Sequence, residues 1–250
     1  MLIAGVDLAA EPKGTGLALI DWSADAAELV ELGLNVEDKA IVRAAGQVEK
    51  LGIDCALGWP VDFVDFLTNN NRAEGTLAAF AGDLDLRRKL AHRESDRQVH
   101  AVTGRWPLSV STDRLGMTAI RCAGLLSQIA ASGIEVDRAG GGRIVEIYPG
   151  ASLRLWGFDT AGYRSSEAIR ARLLAGIKAE TPWLALGSHE ALMIESCDAF
   201  DAVIAALAAR SAFLGRYQAP DSTQLQRAKI EGWVALPTGI LRDLIGGEHQ

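Results

Sequence analysis

The sequence is poor in the residues that build zinc sites and disulfide frameworks. It has three cysteines, Cys55, Cys122 and Cys197, whose separations match no common metal-binding spacing. Scattered thiols in odd number are typical of a reducing compartment, so we expect a cytoplasmic protein. No apolar run approaches the ~18 residues that a membrane span requires, and the first residues lack the basic start of a signal peptide. We therefore expect no membrane association.

Positive charge is also scarce. Lys and Arg number 25 against 32 Asp and Glu, which gives a formal net charge of -7. This balance argues against a protein that coats nucleic acid through a broad basic face, because phosphate neutralisation dominates such binding. It does not exclude an enzyme that holds nucleic acid locally through metal ions. The hydrophobic content of 49% is ordinary for a globular protein with a large core.

The order of apolar runs and turns predicts an α/β fold with a mixed five-stranded sheet flanked by helices. Three antiparallel strands come first, and a crossover helix then places the fourth strand parallel to the first and beside it. We expect that helix at 38–51, ended by Gly52. The chain is expected to form one domain over residues 1–250, with a helical insertion at about 61–111. The predicted strands cover residues 2–8, 16–23, 28–35, 53–60 and 143–149.

Two later helices have informative patterns. In one of them, Thr112 or Asp113 is expected to cap a helix that runs to about residue 132, and its inward face is predicted to hold Met117, Ile120, Leu125, Leu126 and Ile129. The other begins near residue 196 and is apolar nearly all round, which predicts burial. Its first turn carries two carboxylates three residues apart, on one face. Helix capping would explain the first of them, but not the second, which lies at the edge of a buried helix.

Carboxylates recur at the ends of the predicted strands and at the start of that last helix. The carboxyl ends of adjacent parallel strands meet at one edge of a sheet, so these side chains are expected to converge. A ring of carboxylates without Cys or His suits Mg²⁺ or Mn²⁺ rather than zinc. Each position alone is more often a cap or a salt-bridge partner, so the prediction rests on their joint occurrence. The residues are Asp7, Asp54, Glu146, Asp198 and Asp201.

A dense group of charges at 92–97 lies inside the predicted insertion. A solvated loop is the ordinary explanation of such a run. Arginine also binds phosphate in a bidentate way. We therefore consider Arg93, Arg97 and Arg114 as residues that could grip a substrate phosphate.

These segments together resemble a known superfamily. The strand ending at Asp7, the turn Gly14-Thr15-Gly16 and the Asp-x-x-Asp-Ala sequence of 198–202 resemble the RNase H-like nucleases, and among them the RuvC-type resolvases. More narrowly, the chain is similar over about residues 1 to 237 to domain-of-unknown-function family 429, a set of predicted RNase H-like nucleases. The segments that carry this similarity are Gly5-Val6-Asp7, Ile53-Asp54, Gly58-Trp59-Pro60, Arg93-Glu94-Ser95-Asp96, Glu146-Ile147-Tyr148-Pro149, 198–202 and Glu231-Gly232.

The resemblance implies an RNase H-like fold and a metal-dependent nuclease. Asp7 would bridge two Mg²⁺ or Mn²⁺ ions, with Asp54 and Asp201 as further ligands. Asp198 or Glu146 would complete the shell or position the attacking water. The implied partner is a nucleic acid, and DNA, RNA and a smaller phosphodiester all stay open. Paired cleavage of two strands would require a homodimer.

Two other functions stay open at this point. A nucleotide-binding phosphotransferase of the actin/sugar-kinase type shares the sheet order, and its first hairpin also has a buried Asp before a Gly/Thr turn that holds phosphate. A second half with its own Asp-Gly-Thr turn is missing here, and 250 residues is short for two halves. A catalytically silent binding module on the same fold is the other alternative, although such a descendant should have lost some of the carboxylates.

Overall fold

A computed structural model describes residues 1–71 and 82–246, and within them one mixed sheet forms the centre of the fold. Its order is β5-β4-β1-β2-β3-β6, with β1–β2–β3 antiparallel and β1, β4 and β5 parallel. The α/β class and the predicted strand order are confirmed, and a two-residue sixth strand is added beside β3. The strands are β1 Leu2–Asp7, β2 Gly16–Trp22, β3 Ala27–Leu34, β4 Lys50–Asp54, β5 Ile144–Glu146 and β6 Leu184–Ala185.

Ten α-helices flank the sheet in the described ranges. None of these helices is both long enough and apolar enough to cross a membrane. Short 3₁₀ helices occur at Gly187–His189 and Leu241–Leu244. The α-helices are α1 Asp38–Gln47, α2 Val61–Asn71, α3 Leu84–Ala91, α4 Glu94–Thr103, α5 Gly116–Ala131, α6 Pro149–Leu155, α7 Glu167–Glu180, α8 Glu190–Glu195, α9 Cys197–Phe213 and α10 Leu225–Glu231.

Both faces of the sheet are covered by helices. Successive residues of β1 point to opposite faces, so they belong to two different hydrophobic clusters. Ile3 belongs to the hydrophobic cluster built around α9, whereas Ala4 and Val6 belong to the cluster that includes residues of α1 and α5. Helix α9 is buried almost all round, as its composition predicts. The sheet therefore carries one central helix on one face and two helices on the other.

Glycines allow α9 to lie directly on the sheet. A Cβ atom on Gly5 of β1 would stand 2.1 Å from the backbone nitrogen of Ala206, and one on Gly16 of β2 would stand 2.5 Å from the carbonyl oxygen of Asp198. Neither distance is compatible with any side chain. The two glycines thus set how closely the start of α9 approaches the strand ends, where the predicted site residues lie.

The prediction that Gly52 ends a helix is wrong. Helix α1 ends at Gln47, and Gly52 lies within β4. A Cβ atom there would stand 2.7 Å from the side chain of Ile147 and 2.8 Å from the carbonyl oxygen of Ala205. This glycine is required by close packing under α9 and not by a turn.

The predicted inward face of α5 is also wrong at its first turns. Met117 and Ile120 are 67% and 61% exposed, whereas Cys122, Leu125 and Ile129 are buried. The helix begins at Gly116 after the cap residue Leu115, which lies two or three residues later than the predicted cap. The predicted inward face is therefore confirmed in the second half of the helix, at Leu125, Leu126 and Ile129, and wrong in its first turns.

The charged run at 92–97 is not a solvated loop. Arg93 and Asp96 are 4% and 1% exposed, and they form a capping box at the start of α4. Residues 72–81 of the predicted insertion lie outside the described residues. Whether 61–111 is an insertion into a single domain over residues 1–250 stays a prediction.

A candidate active site at the carboxyl ends of the parallel strands

Asp7 and Asp54 end adjacent parallel strands and are direct partners in the β1–β4 register. Each lies two residues after a glycine that faces α9, namely Gly5 and Gly52. Because side chains alternate along a strand, both carboxylates point to the same face of the sheet, towards the start of α9. The strand order thus brings together the two residues that the sequence places 47 positions apart.

The start of α9 supplies the other two aspartates. Asp201 is 2% exposed and accepts hydrogen bonds from the Tyr163 hydroxyl, at 3.0 Å to Oδ1 and 3.2 Å to Oδ2. Asp198 is half-buried in the first turn of the helix. The helix is capped by Ser196, whose hydroxyl accepts from the backbone N–H of Ala199. Capping therefore does not account for Asp198, contrary to the simplest sequence-based explanation.

Asp7 and Asp54 differ from Asp201 in their partners. Within the described ranges, no group donates a hydrogen bond to the carboxylate of Asp7 or Asp54, and neither forms an ion pair. Buried carboxylates ordinarily have donors or a cation, because desolvation strongly disfavours the charged form. Asp7 and Asp54 are only partly buried, so one side of each carboxylate is open to the solvent and the described residues leave that side without a donor or a cation.

The pKa values reflect this crowding of negative charge. Burial, followed by the charge of Asp201, raises the pKa of Asp54 to about 8. Burial and then the charges of Asp54 and Asp201 raise the pKa of Asp7 well above its usual range. Burial raises the pKa of Asp201 to about 6, although the nearby Arg164 guanidinium lowers it. A positive charge added beside this group would favour the ionised forms of all three.

The carboxylates open into a cavity of about 400 Å³. Its lining includes all four aspartates together with apolar residues from several segments. The segment between α4 and α5 contributes Pro107, Leu108 and Leu115, and Arg164 borders the same cavity. The candidate site is thus a concave space that combines an acidic part with an apolar part, as small-molecule sites commonly do.

Arg164 and Tyr163 are site residues that sequence reasoning missed. The Arg164 guanidinium lies 3.5 Å from Asp201 Oδ2, and its Nε donates to the Tyr163 hydroxyl at 3.3 Å. The Arg164 side chain is 55% exposed, so part of its guanidinium remains open to solvent. The two residues lie in the loop between α6 and α7, where no local motif distinguishes them from an ordinary polar turn.

Glu146 does not present a free carboxylate to the other acids. Its two oxygens accept from Arg93 Nη1 and Nη2 at 2.7 Å each, and Oε2 also accepts from the Leu57 backbone N–H at 3.0 Å. The remaining donors of Arg93 bind Asp96 and the carbonyl oxygen of Glu231. All donors of Arg93 are thereby used. The predicted role of Arg93 in gripping phosphate does not fit these contacts, and Glu146 acts as its buried ion-pair partner.

The other two predicted phosphate-binding arginines do not line the cavity. Arg97 binds Glu94 at 2.7 Å and the carbonyl oxygen of His92 at 2.8 Å. Arg114 lies on the surface just before α5. The structure thus separates both residues from the carboxylates, and Arg164 takes the position beside Asp201 that the sequence suggested for one of them.

The Gly14-Thr15-Gly16 turn has internal partners. Thr15 is fully buried, and its hydroxyl donates to the carbonyl oxygen of Glu11 and accepts from Arg121 Nη1 at 2.7 Å. The hydroxyl is therefore not open to a phosphate, as the phosphotransferase alternative would require. The described residues also contain one sheet, without a second half of the same kind.

One comparison with known proteins gives a result. The chain matches the sequence model of a family described as "Protein of unknown function (DUF429)" over residues 5–224. The chain belongs to the DUF429 family. No curated protein and no solved structure matches it significantly.

The residues of this DUF429 protein can be compared with the needs of a divalent cation. In the described part of the chain, no group of three or more His, Cys, Asp or Glu side chains is positioned to hold a metal ion. Mg²⁺, however, usually binds only one or two protein carboxylates, and water and substrate phosphate complete its shell. Asp7 and Asp54 are neighbouring carboxylates that accept no hydrogen bond from the residues described in 1–71 and 82–246, so their chemistry fits such an ion. Asp201 and Asp198 lie beside them.

Proposed function

We propose that this DUF429 protein is a metal-dependent nuclease that hydrolyses phosphodiester bonds of a nucleic acid. One observation carries the proposal above the others. Asp7 and Asp54 are paired in register, lack hydrogen-bond donors within the described residues, and open into a cavity. Two half-buried carboxylates crowded with a third would be stabilised by a cation, and hard oxygen ligands favour Mg²⁺ or Mn²⁺.

The proposed roles of the residues follow from their surroundings. Asp7 is paired in register with Asp54 and lies within range of the charges of Asp54, Asp201 and Asp198, so it would be the ligand common to two ions. Asp54 and Asp201 would be further ligands, and Asp198, which is half-buried, would orient the attacking water. Bound cations would stabilise the attacking and leaving oxygens of the displacement. Arg164 would contact the flanking phosphate, since its guanidinium is partly exposed beside Asp201.

The proposed setting is the cytoplasm, which agrees with the three free cysteines. A nucleic acid is the proposed partner, and a homodimer is the assembly that paired cleavage of two strands would require. The negative net charge indicates that binding would depend on the metal ions more than on a basic surface.

The first test is a calorimetric titration of the wild-type protein with Mg²⁺ and with Mn²⁺. We expect binding in the micromolar to millimolar range that is lost in Asp7→Asn and kept in Asp65→Asn, whose side chain is exposed on α2. The same proteins are then incubated with single-stranded, duplex and branched oligonucleotides in the presence of each metal. Cleavage by the wild type and by Asp65→Asn, but not by Asp7→Asn, is the expected result.

Failure of the wild type to bind either metal, even with an oligonucleotide present, would remove the basis of the proposal. The carboxylates would then be structural groups on an inherited fold, and the silent binding module would be the better account. Metal binding without cleavage of any substrate would contradict the nuclease while leaving the metal site intact.

A further inference from the structure

The size of the cavity limits what the site can hold. At about 400 Å³ it falls at the low end of the roughly 300–1,000 Å³ range of small-molecule sites. A duplex requires roughly 1,000–2,500 Å² of largely positive protein surface. Among the residues that the structure describes, Arg93 and Arg164 are the cationic ones that line the cavity, and Arg93 is already neutralised by Asp96 and Glu146. The site is therefore suited to one small unit and not to a double helix.

The apolar part of the lining is an independent observation. Leu108 is 42% exposed although it borders a strongly acidic site, and Pro107 and Leu115 lie on the same cavity. Exposed leucine contributes nothing to holding a metal ion or a bare phosphate. Contact between such a leucine and a flat, weakly polar group is favourable. A nucleobase is a group of this kind, because its faces pack on apolar and aromatic side chains.

The segment that carries this apolar part is held firmly. The Ser109 hydroxyl donates to the carbonyl oxygen of Ala91 at 2.5 Å, and its backbone N–H donates to Asp113 Oδ2 at 2.8 Å. Just before it, the Trp106 ring stacks with His92 and with His100, at ring-centroid distances of 4.2 and 4.1 Å. Leu108 therefore lies between two fixed points, so its position at the cavity does not depend on a ligand to order it.

We propose that the site binds a single nucleoside phosphate unit, with the phosphodiester beside Arg164 and the aspartates and the base against Pro107, Leu108 and Leu115. This inference rests on the proposed function and names its substrate class. A free dinucleotide and the end of a single strand both offer a phosphodiester next to a base whose face is accessible. In a stacked duplex the faces of the bases are covered by their neighbours.

Two esters separate the contribution of the nucleoside from that of the phosphate. Thymidine 5′-(4-nitrophenyl phosphate) and methyl 4-nitrophenyl phosphate share the phosphodiester and the leaving group, and only the first has a nucleoside. Hydrolysis forms a phosphorus–oxygen bond to water, breaks the bond to 4-nitrophenolate and releases a proton. With Mn²⁺ we expect kcat/KM to be roughly five- to tenfold higher for the thymidine ester, which is what the burial of about 40–55 Å² of apolar surface at about 25 cal/mol per Å² provides.

Leu108→Ala is the decisive variant, and Leu84→Ala is its matched control. The two leucines are 42% and 52% exposed, and Leu84 is not among the residues that line the cavity. We expect Leu108→Ala to lower the ratio of the two kcat/KM values several-fold, and Leu84→Ala to leave it unchanged. An equal kcat/KM for the two esters, or the same ratio in Leu108→Ala as in the wild type, would overturn the inference while the nuclease proposal stands.

A binding measurement keeps the two proposals distinguishable if neither ester is hydrolysed. Thymidine 5′-monophosphate and inorganic phosphate are titrated calorimetrically with Mg²⁺ present. Tighter binding of the nucleotide, weakened in Leu108→Ala, would support the nucleotide site, and the oligonucleotide cleavage test then decides separately whether the protein is a nuclease. Equal binding of both would overturn the nucleotide site.

Whether the bound nucleoside phosphate belongs to a free dinucleotide or to the end of a longer strand is tested with both kinds of substrate. We expect hydrolysis of a free dinucleotide or release of mononucleotides from a linear single strand, and the faster of the two identifies the source. Cleavage of a closed circular duplex would overturn the inference, because it requires a site that accepts an uninterrupted double helix.

Discussion

Asp54→Asn should stabilise the protein at alkaline pH in the absence of divalent cations. The pKa of Asp54 is raised to about 8 in the folded protein, first by burial and then by the charge of Asp201, against 3.8 for an unperturbed side chain. Between these values the folded protein holds a proton that the unfolded chain has released. The free energy of unfolding therefore falls as the pH rises through this window, and the full loss is present above about pH 8. Asparagine has the same shape without the charge, so it avoids this loss.

The magnitude follows from the same values. A carboxyl group with these two pKa values would lose on the order of 5 kcal/mol of stability on full ionisation. Asp54 is partly exposed and its ionisation is coupled to those of Asp7 and Asp201, so we expect roughly 1–3 kcal/mol. For a chain of this size that corresponds to a rise of roughly 2–10 °C in Tm.

The assay is thermal unfolding after treatment with a chelator, at about pH 9 and at about pH 5. We expect Asp54→Asn to unfold at a higher temperature than the wild type at the alkaline pH, with a smaller difference at the acidic pH. Added Mg²⁺ should stabilise the wild type more than the variant, since a bound cation favours the charged form. Asp65→Asn is the control. An unchanged or lower Tm for Asp54→Asn at the alkaline pH, or an equal response of both proteins to Mg²⁺, would refute the reasoning.

Three further changes test the surroundings of the site. Arg93→Met leaves buried carboxylates without their partner and should cost roughly 3–5 kcal/mol in chemical denaturation, whereas Arg97→Met, in a half-exposed pair, should cost less than about 1 kcal/mol. An equal loss of unfolding free energy in the two variants would show that the buried ion pair contributes no more to stability than the half-exposed pair. Gly5→Ala forces a Cβ into the backbone of α9 and should destabilise by roughly 2–4 kcal/mol, while Gly46→Ala, in α1 with open space around it, should stabilise by about 0.5–1 kcal/mol. A tolerated Gly5→Ala would contradict the close approach of the helix. Arg164→Gln should raise the pKa of Asp201 above about 6 in a carboxyl NMR titration, because the arginine lowers that pKa. An unchanged pKa would show that Arg164 does not act on Asp201.

Much of the fold could be predicted because its signals are local. The apolar runs of β1 and β2 and the turn between them define the first hairpin within about twenty residues, and a crossover helix then restricts β4 to the position beside β1. The boundaries were less predictable. Gly52 looks like a helix stop in sequence, but its absent side chain serves the packing of α9, which lies about 150 residues later.

In the candidate site, too, some residues could be predicted from the sequence and others could not. Asp7 and Asp54 could be placed together from strand order alone, because the ends of adjacent parallel strands share one edge. Glu146 follows the same rule and still differs, since Arg93, 53 residues away, binds both of its oxygens. Arg164 carries no signal in its own neighbourhood, and its importance depends on the loop that places it beside Asp201.

The sequence by itself determined the class of the fold, the order of the first four strands and the convergence of carboxylates at the strand ends. These depend on hydrophobic periodicity and chain connectivity, which neighbouring residues specify. Only the tertiary structure decided which carboxylates keep an open side and which are bound by arginine, and which apolar residues border the cavity. Burial and hydrogen-bond partners depend on segments far apart in the chain, and packing alone brings those segments into contact.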